Sequence, residues 1–179
     1  MTKKEGLTFI LILCLTCLIL MAAYFWLILP QQTFLHDESF HVLRSAGFRD
    51  ALQEGDFYKF WQLTNQQYPR EESYYPFFFY WVLGILMLFG QSIAWIKASG
   101  LIFLFWIVII LYFLGRELNQ ERGRAISLLT ISFLLTSPMV YALHSLAMLE
   151  TLGLLLLLVL IFCYFRGRRE KKLFFYFMS

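Results

Sequence analysis

The sequence predicts an all-α integral membrane protein, a multi-span helical bundle with a long outer first loop that carries short interfacial helices. Two observations predict it. Hydrophobic residues make up 60% of the 179-residue chain and aromatic residues 20%, with only 15% charged, against about half apolar and about a quarter charged in ordinary soluble domains. The apolar residues are also gathered into long runs instead of alternating with polar ones, so neither a porin-like barrel nor an amphipathic soluble bundle fits. Helices remain, because every backbone polar group inside a bilayer must be satisfied within its own segment.

The first element follows Lys3 and Lys4. Leu7 to Leu29 is almost wholly apolar and Pro30 closes it, a length that matches the roughly 20 residues of a membrane crossing. A cleaved signal peptide has a shorter apolar core followed by small residues, which Tyr24-Phe25-Trp26 does not supply. A retained anchor with a cytoplasmic N-terminus is expected.

The outer loop is expected over 31–98. Its first part interleaves Asp37, Glu38, Arg44, Asp50, Glu54, Asp56 and Lys59 with Phe40, Leu43, Phe48, Phe57, Phe60 and Trp61. Phe40, Leu43 and Ala46-Gly47 recur at helical spacing. Gly55 can end that helix, and Asp56 can cap a second one carrying Phe57, Phe60 and Trp61. Short helices on the membrane surface are expected here.

The next apolar run, 77–89, is bounded by Pro76 and Gly90 and interrupted by Gly84. It is short for a span and reads as a re-entrant or interfacial element. Further spans are expected at about 99–115, 125–143 and 147–165, with an incomplete one at 173–179. The whole of 1–179 reads as a single membrane domain.

Orientation follows from the basic residues, which cluster at Lys3-Lys4, at Arg116, Arg122 and Arg124, and at Arg166, Arg168, Arg169, Lys171 and Lys172. With 77–89 not spanning, the positive-inside rule places all three clusters in the cytoplasm. No nucleic-acid signal remains once they are so placed. Cys14, Cys17 and Cys163 lie inside apolar runs, where thiols serve as small apolar residues, so Cys14-x-x-Cys17 is not read as a redox or metal motif.

This topology brings two acidic features to the same side, Asp37-Glu38 beyond the first span and Glu150 at the start of the fourth. A carboxylate at the edge of an apolar helix either faces a cavity or partner or is a first-turn residue favoured by the helix dipole; both readings of Glu150 stand. Asp37 or Ser39 can equally be a helix cap. His36, His41 and His144 could add metal ligands or proton carriers, without diagnostic spacing. The aromatic stretch Tyr74 to Trp81 reads as an interfacial belt, with a lipid or sugar platform as an added reading.

The ordered set of Asp37-Glu38, Gly55-Asp56-Phe57, Tyr75-Pro76, Leu88-Phe89-Gly90-Gln91-Ser92-Ile93-Ala94, Leu114-Gly115-Arg116, Ser137-Pro138 and His144 to Glu150 resembles the N-terminal portion of the C-type (GT-C) membrane glycosyltransferase superfamily. The resemblance is in particular to the bacterial relatives of protein O-mannosyltransferases and lipid A aminoarabinose transferases. The chain departs from that pattern at Phe77, where a second proline is frequent, at Lys97 and His144, where arginines are frequent, and at Glu150, where aspartate is commoner.

The resemblance implies an enzyme of the inner (plasma) membrane and cell envelope that transfers a sugar from a polyprenyl-phosphate-linked donor to a hydroxyl of a lipid, glycan or protein acceptor on the outer side. It implies Asp37 as the catalytic residue. Glu38 would orient Asp37 or remain solvated, and Glu150 would position the acceptor or a metal. The leaving phosphate would meet Arg44, Arg70, Lys97 or a bound divalent cation, with His144 near the substrate. Family enzymes are several times longer. An inactive truncated fragment, or an accessory subunit completed by a second polypeptide, is therefore the alternative reading, and a small transporter component the third.

Overall fold

A computed structural model of the chain describes residues 3–30, 36–65, 77–118, 122–137, 140 and 149–170. Every regular element among them is helical. Helix α1 covers Lys3–Ala23 and passes into a π-helical turn, Tyr24–Ile28, closed by the Leu29 N–H on the Tyr24 carbonyl at 2.9 Å. Proline at position 30 lacks the N–H to continue it. After it come α2 (His36–Glu54), α3 (Phe57–Asn65) and α4 (Phe77–Met87), followed by α5 (Ile93–Leu118), α6 (Gly123–Thr136) and α7 (Leu149–Glu170).

Among the described residues three helices are long and apolar enough to cross a membrane: Gly6–Ile28, Ile93–Leu118 and Glu150–Arg169. At about 1.5 Å per residue the shortest, with 20 residues, reaches about 30 Å, the thickness of a hydrocarbon core. The protein is accordingly membrane-associated. The expected span at 125–143 is represented by the 14 residues of α6, and most of its remainder lies outside the described residues, as does 173–179.

Helix α5 is the central element, packing against α7, α6 and α1. Its direction relative to each is fixed by side chains. Phe9 near the start of α1 stacks on Tyr112 and Phe113 late in α5, with ring centroids 4.9 and 5.3 Å apart, while Ile28 joins Leu101 and Leu104 early in α5. These two helices are antiparallel. Helix α6 also runs against α5, starting where Gly123 meets Gly115 so closely that a Cβ on Gly123 would overlap the Gly115 backbone and one on Gly115 would overlap the Ser127 hydroxyl.

Helix α7 is parallel to α5. Its Leu152 shares a cluster with Ile96 and Phe103, and at the other end Arg166 and Arg169 bind the Glu117 carboxylate at 2.7 and 3.1 Å. The bundle therefore has a basic end, built from the start of α1, the end of α5, the start of α6 and the end of α7. The opposite end gathers the first turns of α5 and α7.

Helices α2, α3 and α4 cover that second end. Helix α2 stops at Gly55, whose φ of 67° is open to glycine without strain. The Asp56 carboxylate then accepts the Lys59 N–H at 2.9 Å and caps α3. Helix α4 crosses α2 at Gly84, where a Cβ would stand 2.9 Å from the Ser45 carbonyl oxygen and 3.2 Å from the Arg49 nitrogen. Phe48, Phe79, Leu83, Met87, Ile96 and Leu152 make the core of this layer. At 11 residues, α4 is about half the length of a crossing.

Candidate functional site

The layer formed by α2, α4 and the first turns of α5 and α7 is also where polar side chains are buried. Helix α2 turns His41, Arg44 and Ser45 inward, at spacings of three and four residues that place them on one helical face. Tyr80 of α4 is fully buried between them: its hydroxyl lies 3.1 Å from His41 Nδ1, and the Arg44 guanidinium carbon sits 4.6 Å from its ring centroid. The Ser45 hydroxyl donates to the His41 carbonyl at 2.8 Å, as helical serines commonly do. The guanidinium thus lies against an aromatic face in a desolvated layer, where a cation–π contact is strongest.

Lys97 adds a second cation. It lies in the second turn of α5 and is only 2% exposed. Burying a lysine ammonium is costly unless its surroundings hold the charge, so two buried cations at one end of a small bundle are not ordinary core residues.

Among the expected site residues, Asp37 and Glu38 belong to the first turn of α2, one and two helical turns ahead of His41 and Arg44; their side chains lie outside the described residues, as do Arg70 and His144. Glu150 is exposed in the first turn of α7, beside buried Thr151 and Leu152. The elements bearing Asp37, Lys97 and Glu150 therefore meet in one cluster through Val42, Ile96 and Leu152. Among the described residues no three of His, Cys, Asp and Glu come together as a metal-holding group.

Two features were not anticipated by the sequence reading. Phe79 and Tyr80 are core residues rather than members of an exposed belt, because α4 lies against α2 along that face. His41 and Tyr80 are 39 positions apart, and only the α2–α4 crossing at Gly84 brings them together.

An open apolar groove of about 320 Å³ lies away from this layer's polar centre, lined by Ile19, Ala22, Ala23, Trp26, Leu27 and Leu135. Its walls suit hydrocarbon and offer no chemistry. No known family model, curated protein or solved structure matches the chain.

Proposed function

We propose that the chain is a membrane glycosyltransferase that moves a sugar from a polyprenyl-phosphate-linked donor to an acceptor hydroxyl on the outer side of the inner (plasma) membrane. The observation that carries this reading is the convergence of α2, α5 and α7, the helices bearing Asp37, Lys97 and Glu150, at the end of the bundle opposite Arg116, Arg166 and Arg169. The positive-inside rule puts the arginine-rich end in the cytoplasm. Asp37, Arg44 and Lys97 then belong to the outer side, in a multi-pass protein whose N-terminus is cytoplasmic.

The chemistry needs a base and a counter-charge. Asp37 takes the proton of the acceptor hydroxyl as that oxygen attacks the anomeric carbon. The bond from that carbon to the phosphate oxygen breaks on the opposite face, so the configuration inverts. The electron pair leaves on the lipid phosphate, whose charge Arg44 and Lys97 stabilise. Arg70, His144, Glu38 and Glu150 belong to the same proposal as binding residues, and the groove between α1 and α6 suits the prenyl chain. A divalent cation remains an alternative counter-charge, and no step depends on it.

One observation favours a second reading, in which this chain is an accessory subunit or an inactive part completed by another polypeptide. The apolar windows of α1 and α7 are each 17% buried, against 56% for α5, which leaves room for further helices as well as lipid. Transfer only on co-expression with a second chain would favour it, whereas solute uptake without transfer would favour a transporter component.

The test is transfer of radiolabelled sugar from polyprenyl-phosphate donors to membrane acceptors, in cells lacking related transferases. The wild type is expected to transfer, and Asp37→Asn to lose about a hundredfold or more, the usual contribution of a positioned base. Equal transfer by both would remove Asp37 from the mechanism, and no transfer by the inserted wild type would favour the accessory reading.

A further inference from the structure

Helix α3 has three sectors where a helix bounded only by protein and water has two. Phe60, Leu63 and Thr64 form the first, at spacings of three and four. Phe60 and Leu63 pack on the apolar cluster, the Phe60 ring lies 5.2 Å from Phe48 and 5.1 Å from Trp81, and the Thr64 hydroxyl accepts the Trp81 indole N–H at 3.2 Å. Lys59 and Gln62 form a polar sector. Between these lie Phe57, Tyr58 and Trp61, which are 80%, 72% and 65% exposed.

We infer that Phe57, Tyr58 and Trp61 are an interfacial lipid-binding face, inserted among the headgroups and upper acyl chains of the bilayer. The height of α3 on the bundle supports this. It is docked on the cluster containing Ile96 and Leu152, residues of the first turns of α5 and α7, both long and apolar enough to cross a membrane. The starts of spanning helices mark the membrane boundary. Phe, Tyr and Trp are the side chains that settle there, burying apolar rings about 5–10 Å deep while the polar sector stays wet. Neighbouring α4 and the turn after it also leave Phe78, Ile85 and Phe89 exposed, so the apolar character continues beyond α3.

The consequence is mechanical. Because α3 is fixed to α2 by the Asp56 N–H on the Ala51 carbonyl at 2.9 Å and by the Phe48–Phe60 contact, a face held in lipid sets the height of α2, and of Asp37, above the bilayer. This deepens the transferase reading, whose donor presents its phosphate at that level, but the lipid face is testable without any activity.

The experiment places an environment-sensitive fluorophore at position 57 or 62, five residues apart and so on well-separated sides of α3, through Phe57→Cys or Gln62→Cys in full-length protein with Cys14, Cys17 and Cys163 changed to serine. The protein is reconstituted in vesicles of phosphatidylethanolamine and phosphatidylglycerol. At position 57 the emission is expected at shorter wavelength, quenched by lipids with a nitroxide near the headgroup and little by aqueous iodide, with the reverse at 62. Iodide quenching at 57 equal to that at 62 would overturn the inference by placing the face in water. Protection of 57 from both quenchers would overturn it by placing the face against protein.

Discussion

The two ends of the bundle are held together by different means. At the basic end, Gly115 and Gly123 bring α5 and α6 into backbone contact, and the Ser127 hydroxyl lies 3.0 Å from the Tyr112 carbonyl and 2.8 Å from that of Gly123. One carboxylate, Glu117, ties α7 to α5 through two arginines that are themselves 40% and 48% exposed. At the opposite end, His41, Arg44 and Tyr80 are buried together between α2 and α4, and Lys97 is buried in the second turn of α5. Small residues at a helix crossing are the ordinary way to join helices in lipid, whereas buried cations add cost without being needed for packing. The basic end is thus joined by small residues and one shared carboxylate, and the opposite end by packed rings around buried cations.

That contrast is most easily broken at its closest contact. Gly123→Val would place a branched side chain into the backbone of Gly115 and Arg116, and a loss of about 3 kcal/mol or more is expected, the upper range for overpacking. Titration with a denaturing detergent should show it, and an unchanged midpoint would mean that α6 does not sit on α5 as described. Gly84→Val is expected to cost less, about 1–3 kcal/mol, since the nearest atom is the Ser45 carbonyl oxygen at 2.9 Å. It should also reduce transfer out of proportion to stability, by parting His41 from Tyr80. Loss of stability with transfer per folded molecule intact would make the α2–α4 crossing purely structural.

Glu117→Gln sharpens the other side of the comparison. The carboxylate is only 7% exposed but its arginine partners reach water, so about 1 kcal/mol is expected after solvent screening, with transfer per folded molecule unchanged. A drop in transfer would give the basic end a functional part.

The smallest effect is expected at Lys59, on the water-facing sector of α3. Its hydrogen bond to Glu54, with that carboxylate's charge, raises its pKa above the ordinary 10.5. A raised lysine pKa contributes stability below the ordinary value and loses it as pH climbs through the raised one. The slight difference between wild type and Glu54→Gln at neutral pH should therefore vanish under strongly alkaline conditions. A difference that persists there would show that the pair is not its source.

Much of the architecture was readable in advance where physics acts locally. The long apolar runs marked α1, α5 and α7. Gly55 and Asp56 marked the break between α2 and α3, because a glycine at positive φ and a carboxylate cap act within a few residues. Helix α5 nevertheless begins at Ile93, six residues before the expected span. Lys97 looks like a boundary to any reading of hydropathy, and it is instead buried in the second turn.

The site was less legible. Arg44 and Lys97 read in sequence as counter-charges, but nothing in their spacing indicates that both are buried. Tyr80 looked like one more belt aromatic. Its partners come from α2, and the small residue that permits the approach, Gly84, reads in sequence only as an interruption of an apolar run. Glu117 and its arginines are 49 and 52 positions apart, beyond the reach of helical periodicity.

The most direct test of the division between the two ends is radiolabelled transfer by wild type, Asp37→Asn and Glu117→Gln in the same membranes, normalised to folded protein. Asp37→Asn is expected to accumulate normally and lose transfer, while Glu117→Gln loses stability and keeps transfer. Transfer by Asp37→Asn at the wild-type level would remove Asp37 from the chemistry and with it the proposed division between the two ends.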